Sequence, residues 1–186
     1  FETDLMPAER EKHTILLVDD EEDIRLLLED VLSVHYRVLL AVDGLHALEQ
    51  LEAREDEIDL VMTDLRMPRM DGMELAEKIQ TDFPRLGIIM ITAHGTIATA
   101  VEALKSGIYD YITKPLPNDF RDIYAKCERY FQIRALQQQQ EELQQQRQRA
   151  EEALRQSEEQ FRDLYENAPI AYISIAADGR IQRANQ

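Results

Sequence analysis

The chain has 186 residues, 44% hydrophobic and 6% aromatic, enough for an aliphatic core in one ordinary domain with length left over. Its formal net charge of -16 argues against nucleic acid or an anionic membrane surface as a direct partner, because both attract basic surfaces. No apolar run approaches the roughly 20 residues that span a bilayer. The single cysteine, Cys127, cannot close an internal disulfide, which points to a reducing, cytoplasmic setting.

Residues 1–12 are polar and Glu-rich and are read as a flexible leader, not a secretory signal; Phe1 in place of Met suggests an excised segment. His13 to Val18 is an apolar strand, ended by Asp19-Asp20-Glu21-Glu22. Acids suit the positive end of a helix, and Ile24, Leu27, Leu28, Val31 and Leu32 recur at helical spacing. Tyr36 to Val42 is a second strand, Asp43-Gly44 a turn, and Ala47, Leu48 and Leu51 mark a second helix. A third strand runs to Asp64. Pro68 and Gly72 bracket a loop, and Met73, Leu75, Ala76 and Ile79 mark a third helix.

Leu86 to Thr92 is apolar throughout, as a strand covered on both faces should be. Thr96 to Lys105 is a further helix with Gly107 as its C-cap. Tyr109 to Thr113 is a fifth strand, stopped by Lys114-Pro115, and a last helix begins near Asn118. Five short strands alternating with helices predict a doubly wound α/β fold with a parallel sheet, over residues 13–131.

The composition changes after Phe131. The glutamine runs at 137–140 and 144–146 read either as low complexity or as part of a heptad. The heptad fits better: Ile133, Gln140, Arg147, Leu154 and Phe161 fall at a, and Leu136, Leu143, Ala150, Ser157 and Leu164 at d, with no Gly or Pro. The expectation is a parallel homodimeric coiled coil over residues 132–160, about 45–50 Å long at about 1.5 Å per residue, with Gln140 and Arg147 as weak polar seats. Asn167-Ala168-Pro169 ends the helix, and Ile170 to Ala176, Asp178-Gly179 and Arg180 to Ala184 read as a hairpin. A lone hairpin is marginal in water, so the rest of a second domain is expected past Gln186.

Asp19, Asp20, Asp64, Thr92 and Lys114 each close a predicted strand, and parallel strand ends converge where open α/β sheets bind ligands. Crowded carboxylates repel one another and call for a hard divalent cation; Mg²⁺ takes oxygen ligands and keeps waters for phosphate oxygens. An ionised Asp can attack phosphorus and form an acyl phosphate, with Lys114 supplying positive charge and the Thr92 hydroxyl donating to a phosphoryl oxygen. Asp64 is therefore the expected phosphate acceptor. Taken singly, Asp19-Asp20 could simply cap a helix, Tyr111 could be a buried strand tyrosine or a rotamer switch, and His94 and Arg66 could be exposed loop residues or could overhang the cleft and set the lifetime of the acyl phosphate. Cys127 reads as core packing, and Met67, Met70 and Met73 as packing or loop residues more than as a binding surface.

Four stretches resemble the receiver domain of response regulators: Ile15 to Glu21, Thr63-Asp64-Leu65-Arg66-Met67-Pro68-Arg69-Met70-Asp71-Gly72, Ile91-Thr92-Ala93-His94-Gly95 and Asp110-Tyr111-Ile112-Thr113-Lys114-Pro115. The wording from Ile91 to Pro115 is similar to receivers of the NtrC type. The resemblance implies the flavodoxin-like strand order 2-1-3-4-5. It also implies phosphorylation of Asp64 by a histidine kinase or phosphotransfer protein, and Mg²⁺ at Asp19, Asp20, Asp64 and the Arg66 carbonyl. Thr92 and Tyr111 become a switch pair, Lys114 the phosphate contact, and Lys114–Pro115 a cis bond. Phe161 to Pro169, followed by Ile173 and Asp178-Gly179-Arg180-Ile181, resembles the opening of a PAS domain over residues 161–186. The alternative weighed against this is a phosphatase of the haloacid-dehalogenase sort, which also uses a strand-end Asp and Mg²⁺ but places its nucleophile after the first strand in an Asp-x-Asp pattern. The implied chemistry of these residues is limited to phosphorylation and dephosphorylation of Asp64; any kinase, cyclase or phosphatase would lie past residue 186.

Overall fold

Five apolar runs become the strands of one parallel sheet in the computed structural model, which describes residues 12–93, 107–116, 119–166, 173–175 and 181–184. The strands are β1 (Thr14–Val18), β2 (Arg37–Ala41), β3 (Leu60–Asp64), β4 (Gly87–Thr92) and β5 (Asp110–Thr113), in the order β2-β1-β3-β4-β5. Every residue of β1 and β3 is buried, as interior strands covered on both faces must be, whereas edge strand β2 begins with exposed Arg37.

Alternate residues of each strand feed two separate cores. Leu16, Val18, Val61, Ile88 and Met90 pack on one face with Ala47 and Leu51 of α2 (Gly44–Arg54) and Leu75, Ala76 and Ile79 of α3 (Gly72–Asp82). Ile15, Leu17, Leu60, Met62, Ile89, Ile91 and Ile112 pack on the other with Leu28 and Leu32 of α1 (Glu22–Leu32) and with Ile123, Cys127, Tyr130 and Phe131 of α4 (Arg121–Glu166). Each Val, Leu, Ile or Met side chain among them contributes roughly 1.5–3 kcal/mol on burial. Cys127 is core packing, as expected, and Met67, Met70 and Met73 pack on the α2–α3 side.

Several local details differ from the sequence reading. Asp43 is the N-cap of α2, accepting from His46 N at 2.9 Å, and Gly44 is already helical; the pair is a helix start, not a free-standing turn. The cap position of α1 is Glu21, whose side chain makes no capping bond; neither Asp19 nor Asp20 occupies that position, though Asp19 Oδ1 accepts from the Glu21 amide at 2.9 Å. α4 begins at Arg121, where Asp119 Oδ1 accepts from Arg121 N at 3.4 Å. The expected helix at 96–105, His94 and the start at Asn118 lie outside the described residues. Gly107 has φ +70°, the left-handed region that suits glycine at a C-cap.

The chain divides into two compact units, Phe1–Phe131 and Gln132–Gln186. In the second, the glutamine-rich stretch is helical, and Leu136, Leu143, Leu154, Phe161 and Leu164 are 60–73% exposed along it. Ion pairs at helical spacing, Arg147–Glu151 at 2.8 Å, Arg155–Glu152 at 2.7 Å and Arg155–Glu159 at 3.3 Å, support the polar faces. Strands β6 (Ile173–Ile175) and β7 (Ile181–Ala184) form an antiparallel pair. Among the described residues no helix is long and apolar enough to cross a membrane.

Candidate functional site

The ladder carries the charged residues to one edge of the sheet. Val18 is level with Thr63, Asp64 with Ile91, and Thr92 with Thr113. One step past the strands, Asp19 N donates to Ala41 O at 3.3 Å, Leu65 N to Ile91 O at 2.8 Å and Lys114 N to Thr92 O at 2.8 Å. These backbone bonds hold the strand ends side by side. The cleft between them, about 260 Å³, is lined by Asp20, Glu21, Asp64, Leu65, Arg66, Thr92, Ala93 and Lys114.

Asp19 is fully buried, Asp64 and Thr92 nearly so, and Asp20 exposed. Carboxylate oxygens of Asp19, Asp20 and Asp64 lie within 4.8 Å of one another. Lys114 Nζ donates to Asp64 Oδ2 at 3.0 Å, Asp19 Oδ2 at 3.1 Å and Glu21 Oε1 at 3.1 Å. The second oxygen of each buried acid is also occupied: Asp19 Oδ1 accepts from Glu21 N at 2.9 Å and Asp64 Oδ1 from Leu65 N at 2.7 Å. One ammonium thus bonds three carboxylates, while the carboxylate of Asp20 lies close to those of Asp19 and Asp64. The three aspartates offer hard oxygen donors at a spacing that one small divalent cation can bridge, so the residues present fit a Mg²⁺-type ion.

Burial pushes the Asp19 carboxyl up from the ordinary Asp value, and the Glu21 amide and Lys114 only partly offset this. Burial by itself would push the Lys114 ammonium down, but its hydrogen bonds to Asp64, Asp19 and Glu21 outweigh it and hold the group above the ordinary lysine value.

Asp19, Asp20, Asp64, Thr92 and Lys114 therefore meet, with Arg66, an exposed residue, also in the cleft wall. Tyr111 does not join them. It is level with Met90, half-buried, and lies outside the cleft lining, with Lys126 Nζ 5.7 Å from its ring centre. The Lys114–Pro115 peptide bond is cis.

Three features of the site went unread in the sequence. Glu21 shares Lys114, an acid indistinguishable there from any solvent-facing residue at a helix start. Gly72 abuts the acceptor's own backbone: a Cβ on it would lie 2.2 Å from Asp64 O, and its amide donates to Leu65 O at 2.9 Å. Asp71 and Glu74 form a capping box that starts α3 at that point. Its Asp-x-x-Glu spacing was a readable signal.

Comparison with known proteins agrees with this geometry. Residues 15–127 match the family described as response regulator receiver domain. The transcriptional regulatory protein ZraR of Klebsiella oxytoca is 46% identical over 110 residues, 59% of this chain and 24% of ZraR. The chain thus spans about a quarter of the length of the curated relatives it matches. Among solved structures, NtrX from Brucella abortus is 35% identical with a TM-score of 0.63, covering 71% of this chain and 29% of NtrX. Response regulator TrrA from Thermotoga maritima, solved in complex with Mg²⁺-BeF, is 28% identical with a TM-score of 0.56, covering 63% of this chain and 98% of that chain. The phosphatase alternative is not favoured, since the acids it would have to explain fall within the receiver match and Asp64 follows the third strand, not the first. Through residues 15–127 the chain belongs to the response regulator receiver domain family of two-component signalling.

Proposed function

We propose that Asp64 accepts a phosphoryl group from a histidine kinase or phosphotransfer protein. The observation that carries the reading is the meeting of three aspartate carboxylates within 4.8 Å with Lys114 Nζ 3.0 Å from Asp64 Oδ2. An Asp64 oxygen forms the new P–O bond as the P–N bond to the donor imidazole breaks, and the imidazole takes its proton from solvent. Asp19, Asp20, Asp64 and the Arg66 carbonyl would hold Mg²⁺, which when bound neutralises charge on phosphoryl oxygens. Lys114 exchanges a carboxylate contact for a phosphoryl oxygen, and Thr92 donates its hydroxyl to another. Tyr111 then changes rotamer in response, and Arg66 and His94 govern how water reaches the acyl phosphate.

The exposed heptad stripe from Ile133 to Leu164, including Ala150, supports a parallel dimer of two such chains, a coiled coil over residues 132–160. The antiparallel pair β6–β7 supports a PAS start over residues 161–186. In this reading phosphorylation in the unit over residues 13–131 alters packing along the seam and so reaches an effector in the cytoplasm; the net charge of -16 sets this part of the regulator against direct nucleic-acid contact.

Intact-mass measurement after incubation with a small phosphodonor tests the reading. One phosphoryl group is expected with Mg²⁺, and none in chelator or in Asp64→Asn. Equal labelling of Asp64→Asn would overturn it.

A further inference from the structure

A further ion pair lies outside the cleft, on the loop that leaves Asp64. Arg69, in that loop, pairs through its guanidinium with Asp43, whose side chain is 1% exposed. A carboxylate so removed from water needs a cation or several donors. Asp43 has one further donor, His46 N at 2.9 Å, from the helix it caps. Arg69 also carries φ +68°, a backbone conformation that a side-chain-bearing residue keeps only when its surroundings hold it there. The neighbouring residue is held as well: Met70 packs so tightly on Gly44 that a Cβ there would lie 2.6 Å from Met70 Cγ. Met70 N donates to Pro68 O at 2.8 Å, closing the crown of the loop. The loop's two ends are tied by Leu65 N to Ile91 O at 2.8 Å and Gly72 N to Leu65 O at 2.9 Å.

Three backbone ties and one apolar contact would leave a strained arginine with no electrostatic reason to stay. The ion pair supplies that reason, and it joins the loop after β3 to the start of α2. We infer that Arg69 and Asp43 are positioning residues: their pairing fixes the 65–71 loop in the shape that lets the Arg66 carbonyl complete a divalent-cation site with Asp19, Asp20 and Asp64. This rests on the reading of those residues as Mg²⁺ ligands. Neither Arg69 nor Asp43 touches the ion; each acts through the loop backbone.

The test is calorimetric titration of Mg²⁺ into the full 186-residue chain, without a phosphodonor, at a temperature where every variant is folded. Arg69→Gly removes the ion pair but suits the positive φ, so it separates the pair from the strain. Asp43→Asn removes the charge but keeps an oxygen for His46 N. Both are expected to weaken Mg²⁺ about tenfold, the size of effect typical of groups that orient metal ligands, and Arg69→Lys to restore most of the loss seen in Arg69→Gly. A loss of stability by itself does not change the affinity of the folded protein. Wild-type affinity in either Arg69→Gly or Asp43→Asn overturns the inference while leaving the Mg²⁺ site intact. A wild-type chain that takes up no Mg²⁺ overturns the site itself, and this inference with it.

Discussion

Lys114→Met removes the ammonium shared by three carboxylates while keeping most of its apolar stem. Two of those partners, Asp19 and Asp64, are 0% and 10% exposed at the side chain, and Lys114 itself is 13% exposed. Truncating one partner of such a buried pair costs about 3–5 kcal/mol. The Glu21 contact adds little, because that side chain is 62% exposed and screened. Part of the loss returns when Asp19 takes up a proton, which burial already favours. The net expectation in chelator near neutral pH is a loss of about 2 kcal/mol, read from urea unfolding followed through the tyrosines of residues 13–131. The sign of the pH dependence follows from Asp19. Its folded pKa is raised above 3.8, so the native state binds more protons than the unfolded chain between those two values, and stability falls as pH rises through that window. Without Lys114 the window extends upward, so the deficit of the variant is largest at neutral pH and shrinks toward pH 4. Saturating Mg²⁺ should also recover part of it. Equal stability of wild type and variant in chelator at pH 7 would refute the argument that Lys114 neutralises buried acids.

Other outcomes follow from single contacts. Gly72→Ala puts a Cβ 2.2 Å from Asp64 O, so α3 must move away from the site; a loss of about 1–3 kcal/mol is expected, with slower phosphorylation of Asp64, and a wild-type melt would contradict it. Burial holds the Cys127 thiol up to about 12, so a maleimide should label it only on unfolding in urea; rapid labelling of the native chain would show that the second core opens. In the proposed dimer, Leu143→Glu places a charge in the heptad stripe and should give monomers in sedimentation equilibrium; a variant dimer of wild-type strength, or a monomeric wild-type chain, would contradict the proposed seam.

The sheet was legible because its interior strands are nearly pure Leu, Ile, Val and Met, and only a parallel sheet with both faces covered suits such runs. The strand-end acids were legible for the same reason: once Val18, Thr63 and Ile91 are strand residues, Asp19, Asp64 and Thr92 must follow at one edge. What lay hidden depends on contacts across the chain. Nothing local marks Glu21 as a partner of Lys114, 93 residues away. Nothing in Asp71-Gly72 says that the glycine faces the carbonyl of Asp64. Asp43 was read as a turn because Asp-Gly is a turn signal, whereas its side chain is spent on the α2 N-terminus and on Arg69. Tyr111 was legible as a strand residue, but its distance from the cleft depends on register, since it is level with Met90 and so two residues short of Thr92. Heptad spacing from Ile133 to Leu164 states that one face of the helix needs cover, and the exposure of Leu136 and Leu164 repeats that demand.

The most direct measurement is chemical mapping of the labelled position. An acyl phosphate on a carboxylate is reduced by borohydride to an alcohol, which marks its side chain permanently for peptide sequencing by mass spectrometry. After phosphorylation in Mg²⁺, the mark is expected at Asp64 and at no other acid, the paired Asp19 and Asp20 included. A mark at Asp19 or Asp20, or labelling with no reducible carboxylate at all, would contradict the account.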